Sequence, residues 1–333
     1  MRLRERILEL LKQHPKGLRQ IDIARALGAS RSRVSEVVKE LEKAGLIVKF
    51  KESGSQLIRL STTTEYKVFK KTLKLGIIWS SEYPFITPFT KFLKRRMEID
   101  LDIVVYENGL DATWDLVSGN IDLVLSPLAT QILYYALTNR LLIIGAGAAG
   151  GAEVLENTRC YCRLATSTKA STMDMCTARA IKEGFIEIDD IIYENSGEQI
   201  LRNLVIGKAK YATLWEPLTR RARVLGMKSI INCYDLEVSY CCTLAAYSGI
   251  DHKVIETITK LYSDAIKEFL RNPLRWIDWY SAKVGIEKEL IKRSINTYVY
   301  KEYIDMKEAE RTLELSGLTI PSPLIIKDAV RMY

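Results

Sequence analysis

Three stretches of the chain carry residues whose types and spacing suit chemistry. "GAGAAGG", residues 145–151, follows the apolar run Leu141–Ile144, and its first six residues spell G-x-G-x-x-G. Glycines so spaced let a backbone approach a pyrophosphate when they lead from a strand straight into a helix, with an acid about 20 residues on for the ribose. Here Gly151 is followed by Ala-Glu-Val-Leu-Glu-Asn-Thr-Arg-Cys-Tyr-Cys, which reads as extended chain. The strand before the glycines is also the fourth of its series. Both facts argue against a dinucleotide, and no cofactor is expected.

The second stretch, Ser167-Thr168-Lys169-Ala170-Ser171-Thr172, precedes a helix expected to begin near Met173. Hydroxyls and backbone N–H groups at a helix start form an anion site, with Ser171 as the natural N-cap, although such residues also serve as plain caps. The third feature is the cysteines, six in all. Cys160 and Cys162 share one face of an extended segment, and Cys233, Cys241 and Cys242 lie in a second one. No C-x-x-C pair occurs and the histidines are His14 and His252, so no zinc spacing is matched and no metal is assigned. Inert buried thiols are the plain reading of these residues.

The elements that position these residues begin with a basic N-terminal region. Residues 1–72 hold 17 Lys and Arg against 8 Asp and Glu, whereas the remaining chain holds 32 against 33. A localised positive charge implies a polyanionic partner for that region alone. Helical spacing places Leu3, Ile7, Leu10 and Leu11 inward over 2–13, Ile21, Ile23, Ala24 and Leu27 inward over 19–27, and Val34, Val37, Val38 and Leu41 inward over 31–43. Gly28-Ala29-Ser30 reads as a tight turn with Ser30 as N-cap. Two strands, 46–51 and 56–60, follow. The stretch "IDIARALGASRSRVSEVVKELEKAGLIVKF" resembles winged helix-turn-helix transcription regulators, which implies a domain over 1–62 that binds double-stranded DNA. Its third helix would enter the major groove with Ser30, Arg31, Ser32, Arg33, Ser35 and Lys39, and Lys49, Lys51 and Arg59 on the wing would hold the backbone.

Residues 63–72 read as a linker. Beyond it, short apolar runs alternate with amphipathic helices, which argues for mainly parallel α/β sheets. Strands are expected at 73–79, 101–106, 121–125 and 141–144, with helices at 85–96, 110–118 and 128–139 between them. A second series follows: strands near 163–166, 190–194 and 211–215, helices at 171–183, 197–206 and 217–225. The segments 152–162 and 231–246 read as extended crossings between two lobes, and long helices occupy 252–271, 274–282, 286–298 and 306–315. Lobe I is thus expected over 73–152 and about 244–333, and lobe II over about 160–235. Two crossings between α/β lobes describe a type II periplasmic-binding-protein fold with C-terminal helices.

The pieces "LGIIWSSEYPF", "GNIDLVLSP", "LLIIGAGAAGGAEVL", "LATSTKASTMDMCTARAIKEGF" and "YATLWEPLTRRARVLG" resemble, in order and spacing, the substrate-binding proteins for nitrate, sulfonates, taurine and thiamine pyrimidine precursors. The resemblance implies a small polar ligand in the interlobe cleft, with Gly147 and Gly150 lining it and the Ser167, Ser171, Thr172 stretch holding a polar or anionic end. Close backbone packing without ligand contact is the alternative for the glycines. Ser80, Glu82, Tyr83 and Ser126 fall at carboxyl ends of strands, where open α/β sheets bind ligands. Glu216, in Trp-Glu-Pro, suits an amine or pyrimidine, or caps a helix. Trp114 and Tyr134 offer either a stacking face or core.

The expected function is a ligand-responsive, non-enzymatic transcription regulator, a homodimer or higher oligomer. The alternative is a redox or metal sensor using Cys160, Cys162, Cys241 and Cys242 clustered where the crossings run side by side. Eukaryotic pyrimidine-precursor synthases share the body fold, but rely on a histidine and a cysteine run with iron that are not matched here. No segment approaches 18 uninterrupted apolar residues and the first residues lack a signal peptide's apolar block, so a cytoplasmic protein without a membrane partner is expected.

Overall fold

The computed structural model describes residues 3–14, 17–43, 46–52, 55–60, 71–314 and 325–331. The chain divides into two compact units, Met1–Phe69 and Lys70–Tyr333.

In the first unit, three helices, α1 (Leu3–Gln13), α2 (Gln20–Leu27) and α3 (Arg31–Lys43), precede two strands, β1 (Ile47–Glu52) and β2 (Ser55–Leu60). The apolar positions that recur at helical spacing meet in one core of Ile7, Leu11, Ile23, Ala24, Val34, Val38 and Leu41, closed by Ile47 and Ile58 from the strands. Ile21, expected inward, is half-buried and outside that core. Gly28 ends α2 in the left-handed conformation (φ 59°), which glycine adopts without strain, and so sets the turn into α3. β1 and β2 pair antiparallel, and Leu18 adds a one-residue rung to β2 through reciprocal bonds with Ile58 at 2.8 and 2.7 Å. The expected linker falls largely outside the described residues, and Thr72 already opens the next strand.

The second unit contains two sheets. The first carries β3 (Thr72–Ile78), β4 (Asp100–Tyr106), β5 (Leu123–Pro127), β6 (Leu141–Gly150), β12 (Cys242–Tyr247) and β13 (Tyr298–Tyr300), in the order β13-β6-β12-β5-β3-β4. The second carries β7 (Ala152–Glu156), β8 (Leu164–Ser167), β9 (Asp190–Tyr193), β10 (Tyr211–Trp215) and β11 (Lys228–Asn232), in the order β11-β7-β10-β8-β9. Helices α4 (Ile86–Met97), α5 (Gly109–Ser118) and α6 (Leu128–Thr138) belong to the first lobe. Helices α7 (Thr172–Lys182), α8 (Gly197–Val205) and α9 (Leu218–Val224) belong to the second. After β12 come α10 (His252–Arg271), α11 (Ile277–Val284), α12 (Lys288–Ser294), α13 (Met306–Glu314) and α14 (Ile325–Ala329).

Both sheets are mixed rather than mainly parallel, because every strand next to a crossing runs against a neighbour. β12 is antiparallel to β5 and β6, and β7 is antiparallel to β10 and β11. Residues 152–162 are also not a free crossing. β6 runs on through the glycines to Gly150, the chain turns at Gly151, and Ala152 already opens the second sheet, so lobe II begins at Ala152 rather than near 160. The return is likewise shorter than expected: β11 ends at Asn232, and β12 opens the first sheet at Cys242.

Backbone packing explains why a strand contains these glycines. A Cβ on Gly147 would overlap the Cys242 carbonyl oxygen, and one on Gly150 would lie 2.5 Å from the Thr297 carbonyl oxygen. Gly150 also sits at φ 79°. These two positions answer to close approach of neighbouring chain.

Candidate functional site

The exposed face of α3 presents Arg31, Ser32, Arg33 and Lys39 to solvent, with Ser35 half-buried. Ser30 Oγ accepts the Arg33 N–H at 3.4 Å and lies 3.2 Å from Ser32 Oγ, so both hydroxyls are engaged in starting the helix. Arg31 and Arg33 carry no ion pair among the described residues, which leaves their guanidinium groups available to phosphate or guanine. Lys49 differs from that expectation, because its Nζ reaches Glu42 on α3. Arg59 is half-buried on β2, and the Lys51 side chain lies outside the described residues.

In the second unit a cavity of about 190 Å³ opens between the lobes. Lobe I contributes Ser80, Glu82 and Tyr83 after β3 and Glu107 to Leu110 after β4. Lobe II contributes the start of α7 and Tyr193 to Asn195 after β9, and Cys241 and Cys242 close the side nearest the return crossing. Bonds bridge the lobes around it. Thr130 Oγ1 donates to the Ala170 carbonyl at 2.7 Å, Asn108 Nδ2 to the Asn195 carbonyl at 3.2 Å, and Trp215 Nε1 to the Trp79 carbonyl at 2.8 Å.

Ser80, Glu82, Tyr83, Ser171 and Thr172 are therefore brought together, whereas Ser126, Gly147, Gly150, Ser167 and Glu216 are not. Ser126 lies within β5, fully buried and bonded to Thr113 (2.8 Å) and Gln131 (3.1 Å). Gly147 and Gly150 pack against backbone, as above. Ser167 is fully buried and does not line the cavity. Glu216 turns its carboxylate to Arg223, 3.2 Å away, and burial pushes that carboxyl upward. Trp114 is 56% exposed and packs at a tilt of 48° on Tyr134 outside the cavity.

The start of α7 is already satisfied by its own chain. Ser171 Oγ accepts from the N–H groups of Met173 (3.1 Å) and Asp174 (3.3 Å), and the Asp174 carboxylate accepts from the Ala170 N–H at 2.8 Å. Thr172 Oγ1 donates to the Cys241 carbonyl at 2.7 Å. An incoming anion would meet a carboxylate where a free helix terminus would attract it. Glu82 is 2% exposed, and burial, reinforced by the adjacent Cys241, pushes its carboxyl well above the usual range.

The cysteines do not form one hinge cluster. Cys160 and Cys162 follow the far end of β7, with the Cys160 thiol on the Gly207 carbonyl at 3.2 Å, at the end of the second sheet away from the cavity. Cys233 instead forms a disulfide with Cys176 of α7. Of the four cysteines expected at the hinge, only Cys241 and Cys242 stand at a crossing. Sequence reasoning missed the lining residues after β4 and β9, although the strand-end rule applied to β3 and β5 covers them equally.

Residues 2–48 match the winged helix-turn-helix DNA-binding family. Over 100 residues the chain is 27% identical to an HTH-type transcriptional regulator of Mycobacterium tuberculosis, a match that takes in 28% of this chain and 35% of that protein. The match thus spans about a third of the curated relative's length. Among solved structures, the ligand-binding component of an ABC-type import system from Staphylococcus aureus, with zinc bound, superposes with a TM-score of 0.66 at 15% identity, covering 78% of this chain and 99% of that one. The periplasmic aliphatic sulphonate binding protein of Escherichia coli gives 0.63 at 15% identity, with coverage of 79% and 92%. At these identities the likeness is one of fold: the body has the periplasmic-binding-protein fold, joined to an N-terminal winged helix-turn-helix. No described helix is long and apolar enough to cross a membrane.

Proposed function

We propose that the chain is a ligand-responsive transcription regulator, in which a small polar molecule held between the lobes controls binding of the winged helix to double-stranded DNA. The observation that carries this reading is the pairing, in one chain, of an α3 face with unengaged arginines and a separate two-lobed body whose cavity is lined from both lobes. A ligand touching both lobes binds their closed arrangement better than an open one, and that difference in affinity is what shifts a conformational equilibrium. As a homodimer, two such chains would set the spacing of two winged helices on operator half-sites.

The cavity favours a nitrogen-bearing, N–H-donating ligand over a sulfonate. The start of α7 is capped by Ser171 and faced by Asp174, and Glu107 and Glu194 line the cavity beside the buried Glu82 carboxyl, with Lys169 the single cationic side chain among the lining residues. Amines and aminopyrimidines, including thiamine pyrimidine precursors, meet these conditions. A redox or metal sensor built on four clustered hinge cysteines loses its support, because Cys160 and Cys162 stand away from Cys241 and Cys242.

Footprinting on genomic fragments, with and without a panel of amines, aminopyrimidines and sulfonates, tests the reading. A protected sequence whose occupancy changes with one nitrogenous compound is expected. Salt-sensitive binding with no preferred sequence, or a response to sulfonates alone, would overturn the regulator or the ligand class respectively.

A further inference from the structure

Glu82 Oε1 is buried and has no hydrogen-bond partner. Burying a carboxyl oxygen without a partner is costly, and such a group calls for an explanation. Two thiols stand beside it. One donor atom each from Glu82, Cys241 and Cys242 lies within 4.8 Å of the other two, and among the described residues this is the one such group of three His, Cys, Asp or Glu donors. All three side chains are buried, at 2%, 7% and 3% exposure, and all three line the interlobe cavity.

We propose that Glu82, Cys241 and Cys242 form a binding site for one thiophilic divalent cation of the zinc class at the floor of the cleft. The donor set is two sulfurs and one carboxylate oxygen, the soft composition that selects zinc-like ions over magnesium or calcium. In a tetrahedral site with zinc–sulfur bonds of about 2.3 Å, neighbouring sulfurs stand about 3.8 Å apart, so small side-chain rotations draw the three donors together. The fourth position then faces the cavity, open to water or to a ligand's nitrogen. Both thiol protons leave as the cation enters, and no electron is transferred.

The surroundings hold the donors in place. Tyr83 Oη donates to Cys242 Sγ at 2.9 Å, a bond that steadies a thiolate. Cys241 is tied through its carbonyl to Thr172 at the start of α7. Glu82 comes from lobe I, and the two cysteines end the return crossing, so a cation here would pin the hinge itself. The site does not depend on the DNA-binding reading, because the cation is measured on the protein alone.

The test uses the full chain with its Cys176–Cys233 disulfide intact, stripped with a chelator and titrated with Zn²⁺ against a chromophoric competitor. Parallel titration with Co²⁺ reads thiolate ligation directly as a sulfur-to-metal charge-transfer band. One equivalent with that band is expected. C241S and C242S each weaken the band and bind at least about ten-fold more weakly, the C241S/C242S double variant loses it, and E82Q keeps the band with affinity reduced by a similar factor. The C160S/C162S double variant behaves as the parent chain. A folded parent that takes up no equivalent overturns the proposal, as does a site that survives C241S and C242S or disappears in C160S/C162S. If the serine variants fail to fold, the parent band and E82Q decide: no band, or unchanged affinity in E82Q, overturns it.

Discussion

Replacing Arg31 and Arg33 together by alanine isolates the electrostatic part of DNA recognition. Both side chains are exposed in the first turn of α3 and neither is tied to a carboxylate among the described residues. Removing them therefore leaves the core of Val34, Val38 and Leu41 untouched. If each neutralises one phosphate, the slope of log K against log salt falls by about 0.9 per arginine, hence by about 1.8 for the pair. Between about 50 and 200 mM salt that slope difference alone amounts to about a twelve-fold change in relative affinity. An arginine that instead grips a guanine costs about 1–3 kcal/mol on the cognate site and little on random sequence. Fluorescence anisotropy across a salt series, on a footprinted site and on a scrambled duplex, separates the two roles. Lys49→Ala is the internal comparison: its ammonium is already paired with Glu42, so it should change the slope less than either arginine. An arginine double variant with parental affinity and slope on both duplexes would remove α3 as the recognition element.

Gly150→Ala places a side chain at φ 79° and 2.5 Å from the Thr297 carbonyl oxygen, and should destabilise the body by about 2–5 kcal/mol while bare DNA binding by the folded protein persists. Calorimetry reads the loss; a variant that stays folded yet no longer binds DNA contradicts the assignment of this glycine to the body. Gln131→Leu strips partners from Thr243, whose hydroxyl and carbonyl both bond Gln131 at 2.7 Å inside lobe I, and should cost about 2–4 kcal/mol in urea titration. A neutral result would mean that water replaces the amide. Opening the Cys176–Cys233 disulfide, which spans 57 residues, should lower stability by up to about 4 kcal/mol through the freed entropy of the unfolded chain. Denaturant midpoints with and without reductant measure it, and coincident curves would show that α7 and the return crossing hold each other unaided. Thr130→Val deletes the bond to the Ala170 carbonyl and should speed amide exchange around Thr172–Asp174 by about 2- to 13-fold, the equivalent of 0.5–1.5 kcal/mol. Unchanged exchange there would show that this bond does not restrain the lobes.

The element order was legible because period decides it. Apolar residues at helical spacing marked α1 to α3, and alternating short strands and amphipathic helices marked both lobes. What escaped was pairing, which is non-local. Nothing within Ala152–Glu156 says that this segment joins the second sheet; its antiparallel register with β10 follows from Gly151 turning the chain at once. The glycines misled for a related reason, since a missing side chain is equally compatible with admitting a ligand and with admitting the Cys242 carbonyl. At the cavity, strand-end reasoning reached Ser80, Glu82 and Tyr83. It failed for Ser126, whose hydroxyl is consumed by Thr113 and Gln131, and for Glu216, whose Oε1 turns to Arg223 away from the cavity. A residue type announces what a side chain is able to bond, whereas only the fold shows whether that capacity is already spent.

The same distinction bounds how a ligand acts on the lobes. Around the cleft they are joined by the Thr130–Ala170, Asn108–Asn195 and Trp215–Trp79 bonds, each a side chain on a carbonyl and each worth about 0.5–1.5 kcal/mol net. Breaking these three costs about 1.5–4.5 kcal/mol, less than the roughly 5.5 kcal/mol that carries a two-state equilibrium from one extreme to the other. An occupant contacting both walls must supply the difference, and the groups with unused bonding capacity decide which occupant does. At the cleft floor that group is Glu82, buried with one oxygen unengaged beside two thiols. In the proposed reading, an occupant that engages that oxygen by charge or N–H donation gains more than an anion at the start of α7, whose first N–H groups Ser171 and Asp174 already hold.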